Sequence, residues 1–236
     1  MTDRSRPDPI RERWRPVGDV LPLFIRLVRA SWVELLVIWV IATAGVLATT
    51  LATAAIGFSA TPSLFGVSLA ILPVTFGTAM AAHRVLWPTA PTLMECLDVA
   101  ARAFGALLVV IAIRQVAMTF GFSLFFLPGL AAAVFMVLAP IIVLAEGPGL
   151  QAAFQRSAML VLPIGWAVLV LLLISALVGL VLLVPMAIIA MPLSTFGDDT
   201  LQTFIEAGAT ASFPLAFTVM GAALYLYVTA AGQTRH

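Results

Sequence analysis

Apolar residues occupy this chain in long blocks, and polar residues fall between the blocks. Apart from His83, no acidic or basic side chain lies between Glu34 and Arg84, and similar stretches recur to the far end. A hydrocarbon core of about 30 Å takes about 20 apolar residues per helix. On that measure the blocks predict six spans, at 33–57, 64–82, 104–127, 130–145, 164–190 and 207–230. Turn chemistry separates them: Thr61-Pro62-Ser63, the Pro88 and Pro91 break, Pro128-Gly129, Gly147-Pro148, and a loop bearing Asp198, Asp199 and Glu206. Pro128, Gly129, Gly147 and Pro148 are the structural turn residues of this layout. The first apolar run follows a basic start, as a secretory signal does, but it is longer than a signal core and further spans follow it.

Between the blocks lie three shorter stretches of mixed character. Residues 19–32 place Val20, Leu23, Phe24, Leu27 and Val28 near one helical face, with Arg26 and Arg29 elsewhere. Residues 93–103 put Glu95, Asp98 and Arg102 on a polar side, and residues 150–160 do the same with Gln151, Gln155 and Arg156. Each reads as an amphipathic helix at a membrane surface. The chain therefore repeats one layout three times, an amphipathic helix followed by a helical hairpin. Residues 1–18, with five arginines among Pro7, Pro9 and Pro16, read as a disordered basic arm, and 233–236 as a tail. Residues 19–232 then form one six-helix domain.

Composition agrees with an all-α polytopic membrane bundle. Of 236 residues, 62% are hydrophobic and 10% charged, a balance that excludes a soluble globular domain. The net charge of +1 conceals segregation. With the N-terminus in the cytoplasm, every arginine except Arg114 falls on the cytoplasmic side, and the acidic loop at Asp198 falls outside. An odd number of spans destroys that agreement, so both termini are expected inside a cytoplasmic membrane. Basic residues other than two histidines are all arginine, and the one cysteine, Cys96, has no partner for an internal disulfide.

The segments Leu127-Pro128-Gly129, Ala139-Pro140-Ile141-Ile142-Val143-Leu144-Ala145-Glu146-Gly147 and Ala152-Ala153-Phe154-Gln155-Arg156-Ser157 resemble the membrane-domain family attached to some bacterial glycerophosphoryl diester phosphodiesterases. The likeness covers most of the chain in layout and about 30 residues in motif. It implies a six-span bacterial membrane protein of the stand-alone kind. It does not imply phosphodiesterase activity, which in that family belongs to a soluble barrel domain.

Candidate chemistry is sparse. Arg114 is the one charge inside a span. Counted at 1.5 Å per residue from the Pro128-Gly129 turn, it lies about 21 Å deep and Glu146 about 25 Å deep on the neighbouring helix. An ion pair between them, relayed by Gln115, is expected to fix that hairpin, with Glu34 as the alternative partner. Arg29, Arg102 and Arg156 are candidate contacts for anionic headgroups of the cytoplasmic leaflet. Span 1 carries Gly45, Thr49, Thr53 and Gly57 at intervals of four, a ribbon suited to close internal packing. Ser123 and His83 fall at opposite faces, too far apart for proton transfer. No metal-binding or phosphate-binding motif occurs, and the sequence assigns no catalytic residue, cofactor or metal. The expected role is a non-enzymatic membrane protein that touches lipid or scaffolds an unidentified membrane partner, without nucleic acid. The alternative is a small transporter or lipid translocator built on Arg114 and Glu146.

Overall fold

Eight α-helices make up the described part of the computed structural model, which covers residues 9–55, 71–87, 92–190 and 198–233. Outside the described residues lie the first eight residues of the arm, the end of span 1 with the turn at 61–63 and the start of span 2, the Pro88 to Pro91 break, residues 191–197 and the last three of the tail. Among the described residues, five helical segments are long and apolar enough to cross a bilayer: Trp14–Ala52, Leu93–Leu124, Phe126–Glu146, Leu150–Val184 and Thr203–Ala230. A shorter apolar helix, Ile71–Leu86, stands where the second span is expected.

Helix α1, Pro9–Ala55, is 47 residues and about 70 Å long, far more than a bilayer core. It breaks at Ser31 (φ −130°, ψ 20°), where the expected amphipathic segment meets the first span. Residues 9–18 are helical, which corrects the expectation of an irregular arm through residue 18. Proline suits the first helical position, because the amide it lacks has no partner there. Trp14, Val17, Leu21, Phe24 and Val28 continue one stripe at three- and four-residue spacing. Trp14 meets the ring of Trp166 edge-on at 6.5 Å, and Phe24 is buried in the core.

Helix α2, Ile71–Leu86, packs on α1 through small residues. A Cβ added at Gly45 would stand 2.7 Å from Cβ of Pro73, and one at Gly77 would stand 3.0 Å from that of Ala42. Gly45 of the small-residue ribbon of span 1 thus packs inside the molecule, while Gly57 lies outside the described residues.

Helix α3, Leu93–Leu124, begins with a capping box: Thr92 Oγ1 accepts from the Glu95 amide, and the Glu95 carboxylate accepts from the Thr92 amide. It continues for 32 residues, so the expected amphipathic helix at 93–103 and span 3 are one element. Nothing between Ala103 and Phe104 interrupts a helix, and the amphipathic pattern simply gives way to a lipid-facing one. The chain reverses at Phe125, which is extended (φ −159°, ψ 148°), and not at Pro128-Gly129. Those two residues lie in the first turn of α4, Phe126–Phe135, where proline leaves no intrahelical bond unmade. Gly129 instead permits contact between the two helices of the hairpin, since a Cβ there would lie 2.5 Å from Phe122 Cγ, and one on Gly121 would lie 2.5 Å from the Gly129 amide nitrogen.

The return span is interrupted. Helix α4 stops at Phe135, residues 136–138 turn, and α5 runs Ala139–Glu146. Gly147 (φ 63°) ends α5 in the left-handed conformation open to glycine. Helix α6, Leu150–Val161, passes through a 3₁₀ turn around Pro163 into α7, Gly165–Ala190. Helix α8, Asp198–Gln233, absorbs the acidic segment expected to be a loop. Acidic residues at a helix start favour the amide end of the helix dipole, so a loop is not required there.

Ile38, Met80, Leu107, Leu138, Ile142, Leu171 and Leu224 fill the centre of the bundle. Leu36, Val40, Val109, Ile113, Leu173, Leu177 and Val181 stay exposed, an apolar exterior suited to lipid. Alanine at Gly121 is expected to lower the melting temperature in detergent, by an overpacking cost of about 1–3 kcal/mol. Alanine at Gly105, where a Cβ meets nothing within 4 Å, is expected to be neutral or stabilising.

Candidate functional site

The charges that bound the first apolar block meet. Glu34, one turn past the Ser31 kink of α1, accepts a hydrogen bond from Arg84 Nη2 at 2.9 Å near the end of α2. The arginine side chain is only 10% exposed, the glutamate 41%. Next along α2, the His83 ring lies 4.8 Å from that of Trp87. Cys96, buried in the first turn of α3, feels the charges of Arg84, Glu95 and Glu34. One end of α1, α2 and α3 is thereby tied together.

A second clasp joins α5, α6 and α8. The Glu146 carboxylate accepts from Arg156 Nε, at 3.0 Å to Oε1 and 2.8 Å to Oε2, and from the Tyr225 hydroxyl at 2.8 Å. The Gly147-Pro148-Gly149 turn folds α6 back so that Arg156 faces the end of α5. The residue after Arg156 serves the backbone instead. Fully buried Ser157 donates from Oγ to the Phe135 carbonyl (2.7 Å) and accepts from the Leu138 amide (3.2 Å). A backbone interruption inside an apolar bundle must find such partners, because each unsatisfied group costs several kcal/mol in hydrocarbon.

The expected pair of Arg114 and Glu146 does not form. Equal depth on a hairpin sets height, not the direction a side chain faces, and Glu146 turns to α6 and α8. The alternative partner, Glu34, is held by Arg84. Arg114 occupies the inward stripe of α3, at seven-residue spacing with Ala100, Leu107 and Gly121, all three buried. Its Nε is buried without a hydrogen bond, and among the described residues it makes no ion pair and receives no relay from Gln115.

Of the expected headgroup contacts, Arg102 is bonded to Asp98 one turn away and Arg156 to Glu146. Arg29 is exposed, as is Arg26, and neither has a partner among the described residues. Ser123 is exposed near the far end of α3, while His83 packs beside the start of that helix. Among the described residues no group of three or more His, Cys, Asp or Glu side chains stands ready to hold a metal. The pocket between α1, α2 and α8, lined by Ile38, Trp39, Gly77, Thr78, Ala211 and Leu215, is narrow and almost wholly apolar.

Sequence reasoning missed the pairing of Glu34 with Arg84 and the parts played by Ser157 and Tyr225. Glu34 and Arg84 bracket the first hairpin and so had to reach the same end, a relation already written in the charge pattern. Ser157 follows Arg156 in the motif, but only the break at 136–138 explains it. Tyr225 had no local signal, since its partner lies 79 residues away. Comparison with family models, curated proteins and solved structures finds no match to this chain.

The two clasps differ in burial, and their mutants are expected to differ accordingly. Glu34→Gln strands a buried guanidinium and should cost about 2 kcal/mol or more, partly recovered when Arg84→Leu is added. Glu146→Gln leaves a half-exposed Arg156 free to turn outward and should cost about 1 kcal/mol or less. Thermal unfolding of the single and double variants in one detergent gives both values.

Proposed function

We propose that this chain is a non-enzymatic multi-span protein of a bacterial cytoplasmic membrane that holds anionic lipid at the inner leaflet and braces a membrane partner. The observation that carries this reading is the kinked first half of α1. Its buried face, with Val20 and Phe24, lies on the bundle, while Arg26 and Arg29 are exposed beside Ile25 and the 60% exposed Trp32. Arginine stems beside an indole at the edge of an apolar surface are the makings of a headgroup contact. The topology that goes with it has six spans with both termini in the cytoplasm, on the strength of the one-sided arginines. Kinship with the stand-alone membrane domains resembling this chain is part of the proposal. Its support is spatial: Glu146 and Arg156, two motif residues, bond each other, and Ser157 repairs the backbone just ahead of Pro140.

The set of headgroup arginines is narrower than the charge pattern suggests. Arg102 and Arg156 have carboxylates of their own, so Arg26 and Arg29 carry the interaction. Each basic residue near an anionic leaflet contributes about 1 kcal/mol, or about a factor of five in affinity. Purified from an equal mixture of phosphatidylglycerol and phosphatidylcholine, the protein should retain the anionic lipid preferentially by native mass spectrometry. Arg26→Gln with Arg29→Gln should remove most of that preference. Equal retention of both lipids by the unaltered chain ends the proposal.

A further inference from the structure

Arg114 poses a charge problem that the described residues leave unsolved. A guanidinium does not give up its proton in proteins. This one lies eleven residues before Phe125, about 16 Å from that end of the hairpin, and so near the middle of a 30 Å hydrocarbon core. Its Nε is buried without a partner, and the two acids within the bundle's own clasps, Glu34 and Glu146, are engaged by other arginines. It belongs to the inward stripe of α3 but is itself only half-buried, and its neighbour Ile113 is exposed, so the group sits at the edge of the core.

A second feature stands at the same height. Eleven residues beyond Phe125 the return span breaks, at Met136, and α5 starts anew at Ala139. Helix α3 packs against both halves of that span. A discontinuous helix at the height of a mid-membrane charge is a setting in which membrane proteins hold ions. The amides at this restart are largely spent, Leu138 on Ser157 Oγ and Ala139 on the Met136 carbonyl, so the guanidinium supplies the positive charge.

We propose that Arg114 is the cationic centre of an intramembrane site for an oxyanion of the phosphate type, supplied by a lipid headgroup or by a small free anion. The planar fork of the guanidinium matches two oxygens of such a group. This site is separate from the interfacial Arg26 and Arg29 and stands whether or not they bind lipid. An oxyanion at this depth is halfway across the membrane, a position a headgroup holds only in transit.

The test uses the full chain, stripped of lipid in an uncharged maltoside detergent, with melting temperature as the readout. Without added anion, Arg114→Gln should melt no lower than the unaltered protein, since no internal partner is lost. Phosphatidylglycerol or inorganic phosphate, at ionic strength matched with sodium chloride, should raise the melting temperature of the unaltered chain. Arg114→Gln should weaken that binding by about tenfold or more. Arg114→Lys, which restores charge without the fork, should recover part of it, and Arg26→Gln with Arg29→Gln should retain it. A rise with inorganic phosphate identifies a free anion as sufficient, and a rise with the phospholipid alone identifies a headgroup. If Arg114→Gln fails to fold or melts lower without anion, an internal acid is the partner and the proposal falls. It falls equally if both proteins respond alike to both anions.

Discussion

Hydrocarbon supplies no hydrogen bonds, and most of the polar contacts described in this molecule answer to that fact. Several hydroxyls within the helices bond back to the preceding turn, as Thr49 does to the Gly45 carbonyl, Ser175 to that of Leu171 and Thr218 to that of Pro214, whereas those of Thr43 and Thr75 are buried without a partner. The indole of Trp39 reaches across to Ser212, whose own hydroxyl donates to Gly208. The charged pairs of the two clasps sit at helix ends, where opposite charges meet. Even the interruption between α4 and α5 is tolerated because Ser157 serves a carbonyl and an amide at once.

Since lipid is as apolar as leucine, burial alone does not hold such helices together. Cohesion comes from backbone approach at small residues and from the clasps. Gly45 on Pro73, Gly77 on Ala42, Gly121 on Gly129 and Gly179 on Phe213 are close points between neighbouring helices. Packing therefore sets the distances between helices, and the arginine clasps fix which ends face one another.

The apolar blocks make the helical, membrane-crossing character plain, and the mixed stretches locate α6 and the kink of α1. Boundaries are harder to read. Chemistry that permits a turn does not by itself make one, so Pro128-Gly129 suggests a reversal that belongs to Phe125. The stripe from Trp14 to Val28 extends α1 backwards, but arginines and prolines between its members obscure it. Pair partners are the least legible of all. Helix counting places Arg114 and Glu146 at similar depth, yet rotation about the helix axis decides whether they touch, and that rotation depends on packing between distant segments. Tyr225 and Ser157 depend on the same long-range geometry.

The positions of the clasps along the chain also imply an order of construction. Glu34 and Arg84 lie on consecutive helices, so their bond becomes available as soon as α2 has been synthesised. Glu146 and Arg156 are ten residues apart, and this bond closes almost locally when α6 emerges. Tyr225 adds its hydroxyl last, near the end of translation. Each hairpin can thus neutralise its own boundary charge before the next is made, and the growing chain need not hold a solitary acid in the bilayer while it waits for a distant partner.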